Sequence, residues 1–94
     1  MPTKQWIAPQ ELTIFEVGPL WQAYQADPPR DSEFNLDLAH VATLDSAGAQ
    51  LLLYLVHHSK QQGCLPRIVA LPDSIRSILN QLGLQKPLGL EEPV

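Results

Sequence analysis

The chain has 94 residues, 45% of them hydrophobic and 17% charged, with six Lys and Arg against ten Asp and Glu and a formal net charge of −4. That length supports one domain, because splitting it would leave two fragments without cores, and the composition is that of a folded chain. Six scattered cations cannot form the patch that nucleic acid demands, no apolar run reaches the roughly 18 residues of a membrane span, and Met1 to Gln5 does not lead into a signal-peptide core, so the expectation is a cytoplasmic protein with no nucleic acid and no membrane insertion.

From Gln5 to Phe15, aromatic and β-branched residues suggest a strand that Pro9 cuts short. From Glu16 the apolar Val17, Leu20, Trp21 and Tyr24 follow helical spacing, with Pro19 tolerated in the first turn, and this helix stops before Asp27-Pro28-Pro29. After that loop, Phe34, Leu36 and Leu38 alternate with Asn35, Asp37 and Ala39, the period of a strand whose apolar side faces the core, and the β-like segment extends to Val41. Ala49 to Gln62 is too long and too continuously apolar for a strand and reads as a helix stopped by Gly63. Arg67 to Leu71 forms a further strand, and Asp73-Ser74 resembles the cap of a helix lined by Ile75, Ile78, Leu79 and Leu82 and ended by Gly83. From Gln85 the chain is proline- and glutamate-rich. A single domain over residues 1–86 with a flexible tail over 87–94 is expected. The alternation of strand and helix predicts an α/β fold: a mainly parallel sheet of about four strands with helices packed on it.

The segment with most chemical content is Thr43-Leu44-Asp45-Ser46-Ala47-Gly48, where a strand empties into the long apolar helix. A hydroxyl at a helix N-terminus sits at the positive end of the helix dipole, where an anion is favoured. Ser46 fits two roles there: with Asp45 it satisfies the helix cap, or it presents a hydroxyl to a partner or a phosphate. Gly48, unfavourable in a helix by about 1 kcal/mol relative to Ala, is easier to explain if something must approach the backbone.

The remaining chemistry-bearing residues suggest less. His57 and His58 are adjacent and point about 100° apart on a helix, so they do not share a metal, and His40 has no carboxylates at ligand spacing. Asp37 on its strand is read as paired with a backbone group or solvated. Cys64, the only cysteine, has no intrachain disulfide partner and reads as a structural thiol. No Ser-His-Asp set can be assembled and no cofactor is expected, which points away from an enzyme. Trp21 and Tyr24 belong to the core, whereas Trp6 lies near the terminus beside an open edge through which a homodimer could pair.

Taken in order, Asn35 to Gly48 with its Asp-Ser turn, the apolar helix, Gly63, a strand and Ile75 to Leu84 resemble a STAS domain, with Glu11-Leu12-Thr13-Ile14 standing where that family often has a Gly-Glu-Leu-Asp type turn. The resemblance spans residues 6 to 84. Only ten residues precede Glu11, about half the usual number, which curtails the N-terminal strand. In anti-sigma factor antagonists, which carry this domain, the Ser or Thr directly after the Asp is phosphorylated by a partner kinase. The resemblance therefore implies a non-enzymatic regulatory module with Ser46 as phosphate acceptor, residues 43 to 48 as the contact surface, and an anti-sigma factor kinase or chemosensory regulator as partner. The same family includes the STAS subunit that binds the ATPase of a phospholipid-transport ABC complex, and this is the alternative.

Overall fold

The computed structural model describes residues 1–90. Its elements run β1 (Thr3–Ile7), β2 (Glu11–Leu12), α1 (Ile14–Ala26), β3 (Glu33–Asp37), β4 (Thr43–Leu44), α2 (Ser46–Gln61), β5 (Leu65–Val69) and α3 (Asp73–Gln81). The first, third and fifth strands form a parallel sheet in the order β1-β3-β5, and β2 and β4 form a separate parallel pair. The architecture is thus mainly parallel α/β, with five strands in two sheets where a single sheet of about four was expected.

Alternation in β3 decides which side of the sheet is covered. The register sets Lys4 beside Phe34 and Pro66, and Trp6 beside Leu36 and Ile68. Phe34 and Leu36 are 1% and 0% exposed, and burying each such side chain is worth about 1.5–3 kcal/mol. The alternate rows, Gln5-Asn35-Arg67 and Ile7-Asp37-Val69, lie on the other face and are exposed or half-buried. Parallel sheets are usually covered on both faces; here the apolar–polar alternation of the central strand belongs to a sheet covered on one.

Several boundaries differ from the sequence expectation. β1 pairs with β3 along all five of its residues, so the N-terminal strand is not curtailed, and Trp6 is half-buried against the core rather than standing free beside an edge. β3 ends at Asp37 rather than Val41 because Asp37 Oδ1 accepts the Ala39 N–H at 2.9 Å and the Val41 N–H donates back to Leu38 O at 3.1 Å, turning the chain. Leu38 and Val41 remain buried across that turn. β5 starts two residues earlier than expected, including Pro66, and Ala70, at φ 54°, breaks the strand after Val69. Pro66 is tolerated because β5 is an edge strand: the Leu65 N–H donates inward to Ser32 O at 3.0 Å, so the next residue's missing N–H faces outward.

The helices show similar shifts. α1 begins at Ile14, which puts Pro19 in its second turn rather than its first. α3 is preceded by Pro72 and has no side-chain cap, so Asp73 and Ser74 are helical residues, Asp73 serving as the acid of the first turn. α2 and α3 end alike. Gly63 (φ 80°) and Gly83 (φ 73°) adopt the left-handed conformation, while Cys64 and Leu84 donate back to Ser59 O and Leu79 O, each at 3.0 Å. A third such turn, at Gly89, closes a loop that carries Leu88 into the core at 5% exposure. Packed chain therefore runs on through Leu88, within the stretch expected to be tail; residues 91–94 of that expectation lie outside the described residues.

Candidate docking site at the paired helix starts

The pairing of β2 with β4 brings Thr13, which caps α1, next to Asp45, which caps α2. The two helices consequently begin side by side, and one carboxylate serves both. Asp45 Oδ1 accepts the Gly48 N–H at 2.8 Å, and Oδ2 accepts the Ile14 N–H at 2.9 Å. Thr13 Oγ1 accepts the Phe15 N–H at 3.4 Å and donates to Glu16 Oε1 at 2.7 Å. Thr13-x-x-Glu16 is a capping-box signature, the one sequence signal that places the start of α1 at Ile14.

The Gly48 N–H, followed by that of Ile14, holds the Asp45 carboxyl below the usual carboxylate value of 3.8. A carboxylate whose pKa is lower folded than unfolded stabilises the fold above its unfolded pKa and loses that contribution as pH falls through the folded one. In Asp45→Asn the amide oxygen can accept only one of the two N–H groups' bonds in the same geometry, its nitrogen being a donor. The variant is expected to melt several degrees below wild type at neutral pH, and the gap should close as the pH is lowered past 3.8; thermal melts across that range check it.

Gly48 has an internal explanation. It is buried, and a Cβ on it would collide with the Leu12 carbonyl of β2 and touch Leu44 Cδ1 at 3.0 Å. What approaches this backbone is the chain itself, which removes the reason for reading Gly48 as an opening for a phosphate or partner. Leu44 too is buried, at 8%. Of the six residues expected to form the contact surface, Thr43 and Ser46 are exposed and Asp45 and Ala47 half-buried, while Leu44 and Gly48 face inward. Asp45 rather than Ser46 makes the cap, leaving the Ser46 side chain at the surface as the first residue of α2.

Beside this turn, α1 and α2 bound a mainly apolar groove of about 510 Å3, lined by Val17, Gly18 and Trp21 on one helix and Ala47, Gln50, Leu51 and Tyr54 on the other. Tyr54, on its α2 wall, is 59% exposed, and Ile14 and Phe15 in the first turn of α1 are 59% and 85% exposed. The sequence reading missed the groove, because Val17, Trp21 and Leu51 look like ordinary core positions until the helices are placed side by side. Its far end is closed by an aromatic group: Trp21 stacks on Tyr24 with centroids 5.3 Å apart, and Tyr24 Oη is hydrogen-bonded to His58 Nδ1 at 2.8 Å. Burial, with a smaller contribution from Cys64, pushes the Tyr24 phenol up to about 12. His57 is exposed and bonded to Gln61, His40 is exposed, and Cys64 is buried 3.6 Å from Ser32 Oγ. These residues do not converge with the Asp45-Ser46 turn.

A family model described as "Mlab, STAS domain" matches residues 10–92, nearly the whole chain. The chain belongs to the STAS domain family. Among solved structures, this STAS domain is similar to the crystal structure of a sulfate transporter family protein from Wolinella succinogenes, with a TM-score of 0.76 and 16% identity over 93% of this chain and 71% of that one. At that identity the likeness concerns the fold. No curated protein matches the chain. STAS domains are generally non-catalytic modules for protein–protein interaction, and among the described residues no helix is long and apolar enough to cross a membrane.

Proposed function

We propose that this STAS domain is a cytoplasmic, non-enzymatic module that docks a partner protein over the start of α2 and the adjoining face of α1. The observation that carries the reading is the 510 Å3 apolar groove walled by the exposed Tyr54, next to the exposed Ser46 and with Ile14 and Phe15 exposed in the first turn of α1. Exposed aromatic and aliphatic side chains grouped around a concave apolar surface are typical anchors of protein interfaces.

Phosphorylation of Ser46 is the proposed switch, as in the anti-sigma factor antagonists that the chain resembles, with an anti-sigma factor kinase or chemosensory regulator as partner. A phosphoserine adds about −1.5 to −2 charge. The Ile14 and Gly48 amides that would otherwise receive it already donate to Asp45. The phosphate would therefore remain on the surface beside a like charge, altering the docking face without repacking the fold.

A second reading, binding of the ATPase of a phospholipid-transport ABC complex without phosphorylation, draws support from the Mlab description of the matching family. The internal roles of Asp45 and Gly48 also favour it, since neither residue needs a phosphate to explain it.

Pull-downs with wild-type, Ser46→Asp and Phe15→Asp baits separate the readings. Docking through this face requires Phe15→Asp to recover at least about tenfold less partner with an unchanged melting temperature. Loss in Ser46→Asp as well, together with an ~80 Da increment on the cellular protein that vanishes in Ser46→Ala, supports the switch; full recovery by Ser46→Asp supports the ATPase reading. Equal recovery by all three baits would falsify docking at this site.

A further inference from the structure

Gln50 and Tyr54 belong to two hollows at once. Besides the groove against α1, they line a second hollow of about 310 Å3 on α2, whose rim also includes His57, Lys60 and Pro87. His57 and Lys60 are exposed. α2 thus carries a continuous docking stripe that is mainly apolar near its start and basic near its end, with Ser46 and Lys60 about 20 Å apart along the helix axis.

Charge is polarised along the chain in the same sense. Most acidic residues precede Ser46, whereas from Ser46 to Leu90 the cations are Lys60, Arg67, Arg76 and Lys86 and the one carboxylate is that of Asp73. Among the described residues no carboxylate lines either hollow, and the ion pair present is Lys4 with Asp27, so no described side chain neutralises Lys60. The fold holds Lys60 in place all the same, because a cation in the last turn of a helix is favoured by the dipole. At the opposite end lie the carboxylates of Glu16 and Asp45, already engaged by Thr13 and by the Ile14 and Gly48 amides. A docking segment therefore meets negative charge at one end of the stripe, an apolar seat, and positive charge at the other end.

Resting on the reading that a partner docks at this groove, we propose that the docking segment is acidic: an apolar side chain fills the groove, and a carboxylate about 10 Å further along lies over His57 and Lys60. A basic segment would be repelled by Lys60, and a neutral one would gain nothing from it. Glu16 and Asp45 fix the direction of the segment, since the reversed orientation would set its carboxylate against theirs.

Random linear peptides displayed on phage test this directly. Groove binders are those selected on the wild-type domain and lost on Gly18→Gln, which puts a neutral side chain into open space at the groove. They are expected to be enriched in Asp and Glu beside an aromatic or aliphatic residue. An acidic binder, synthesised singly, should lose about three- to tenfold in affinity on Lys60→Glu at low salt. That loss should vanish near 1 M salt, where the screening length is about 3 Å. Arg67→Glu makes the same change in net charge on the open face of the sheet and should leave the affinity unaltered; every variant should keep the wild-type circular dichroism spectrum. Groove binders without acidic enrichment, or with equal affinity for wild type and Lys60→Glu, overturn the acidic segment and leave the docking site standing. The absence of any groove-dependent binder counts against the docking site itself and removes this proposal with it.

Discussion

Gly48→Ala is expected to destabilise the fold by about 3 kcal/mol, the upper part of the range for forcing extra volume into a packed interior. The added methyl would meet a backbone carbonyl, that of Leu12, rather than the end of a pliable side chain. Relief requires moving α2 away from β2, and that movement disturbs the Asp45 carboxylate tying Gly48 to Ile14. For a domain of this size each kcal/mol corresponds to about 4–8 °C in melting temperature, so a fall well beyond 10 °C is the expected result of a thermal melt. Gly18→Ala is the matched control. Nothing lies within 4 Å of a Cβ at Gly18, and an alanine in the helix should stabilise by roughly 0.5–1 kcal/mol. If the two glycines behaved alike, the close approach of α2 to β2 could not be the reason for Gly48.

Leu36→Ala should cost about 3 kcal/mol, whereas Asn35→Ala, one residue away on the same strand, should change stability by no more than about 0.5 kcal/mol. Leu36 is 0% exposed at the centre of the sheet's covered side, with Trp6 and Ile68 as its neighbours in register. Truncation there leaves a cavity that β3, held on both sides, cannot collapse to fill. Asn35 lies on the open face between Gln5 and Arg67. Denaturant titrations of the two variants therefore measure directly whether only one face of this parallel sheet is packed; a large loss at Asn35 would mean that the far face is covered too.

Much of this was legible along the chain because it depends on local periodicity. Phe34, Leu36 and Leu38 alternate with polar residues and are all buried, and the apolar run following Gly48 is helical as its length implies. Gly63 and Gly83 end their helices through a backbone conformation that glycine adopts without strain. Errors fell where a contact distant in sequence sets the boundary. Ile14 begins α1 with help from Asp45, thirty-one residues on. Glu11–Leu12 count as a strand only because Thr43–Leu44 lie beside them. Leu88 looked like tail because isolated hydrophobicity in a proline-rich segment carries no period.

The candidate site divides in the same way. The Asp45-Ser46 turn and its place at a helix start are written in the sequence, since an Asp before an apolar helical run is a cap by local chemistry alone. Three things required the tertiary structure: that the Asp45 carboxylate caps one helix and holds the start of another, that Gly48 yields to the Leu12 carbonyl, and that Val17, Trp21, Ala47 and Leu51 form a groove between two helices. Sequence determines what each segment prefers to become and which of its sides is apolar. Which residues meet is decided by the register of β2 on β4, a pairing of only two residues per strand, too short for any pattern to announce and effective only once the rest of the chain has brought the two strands together.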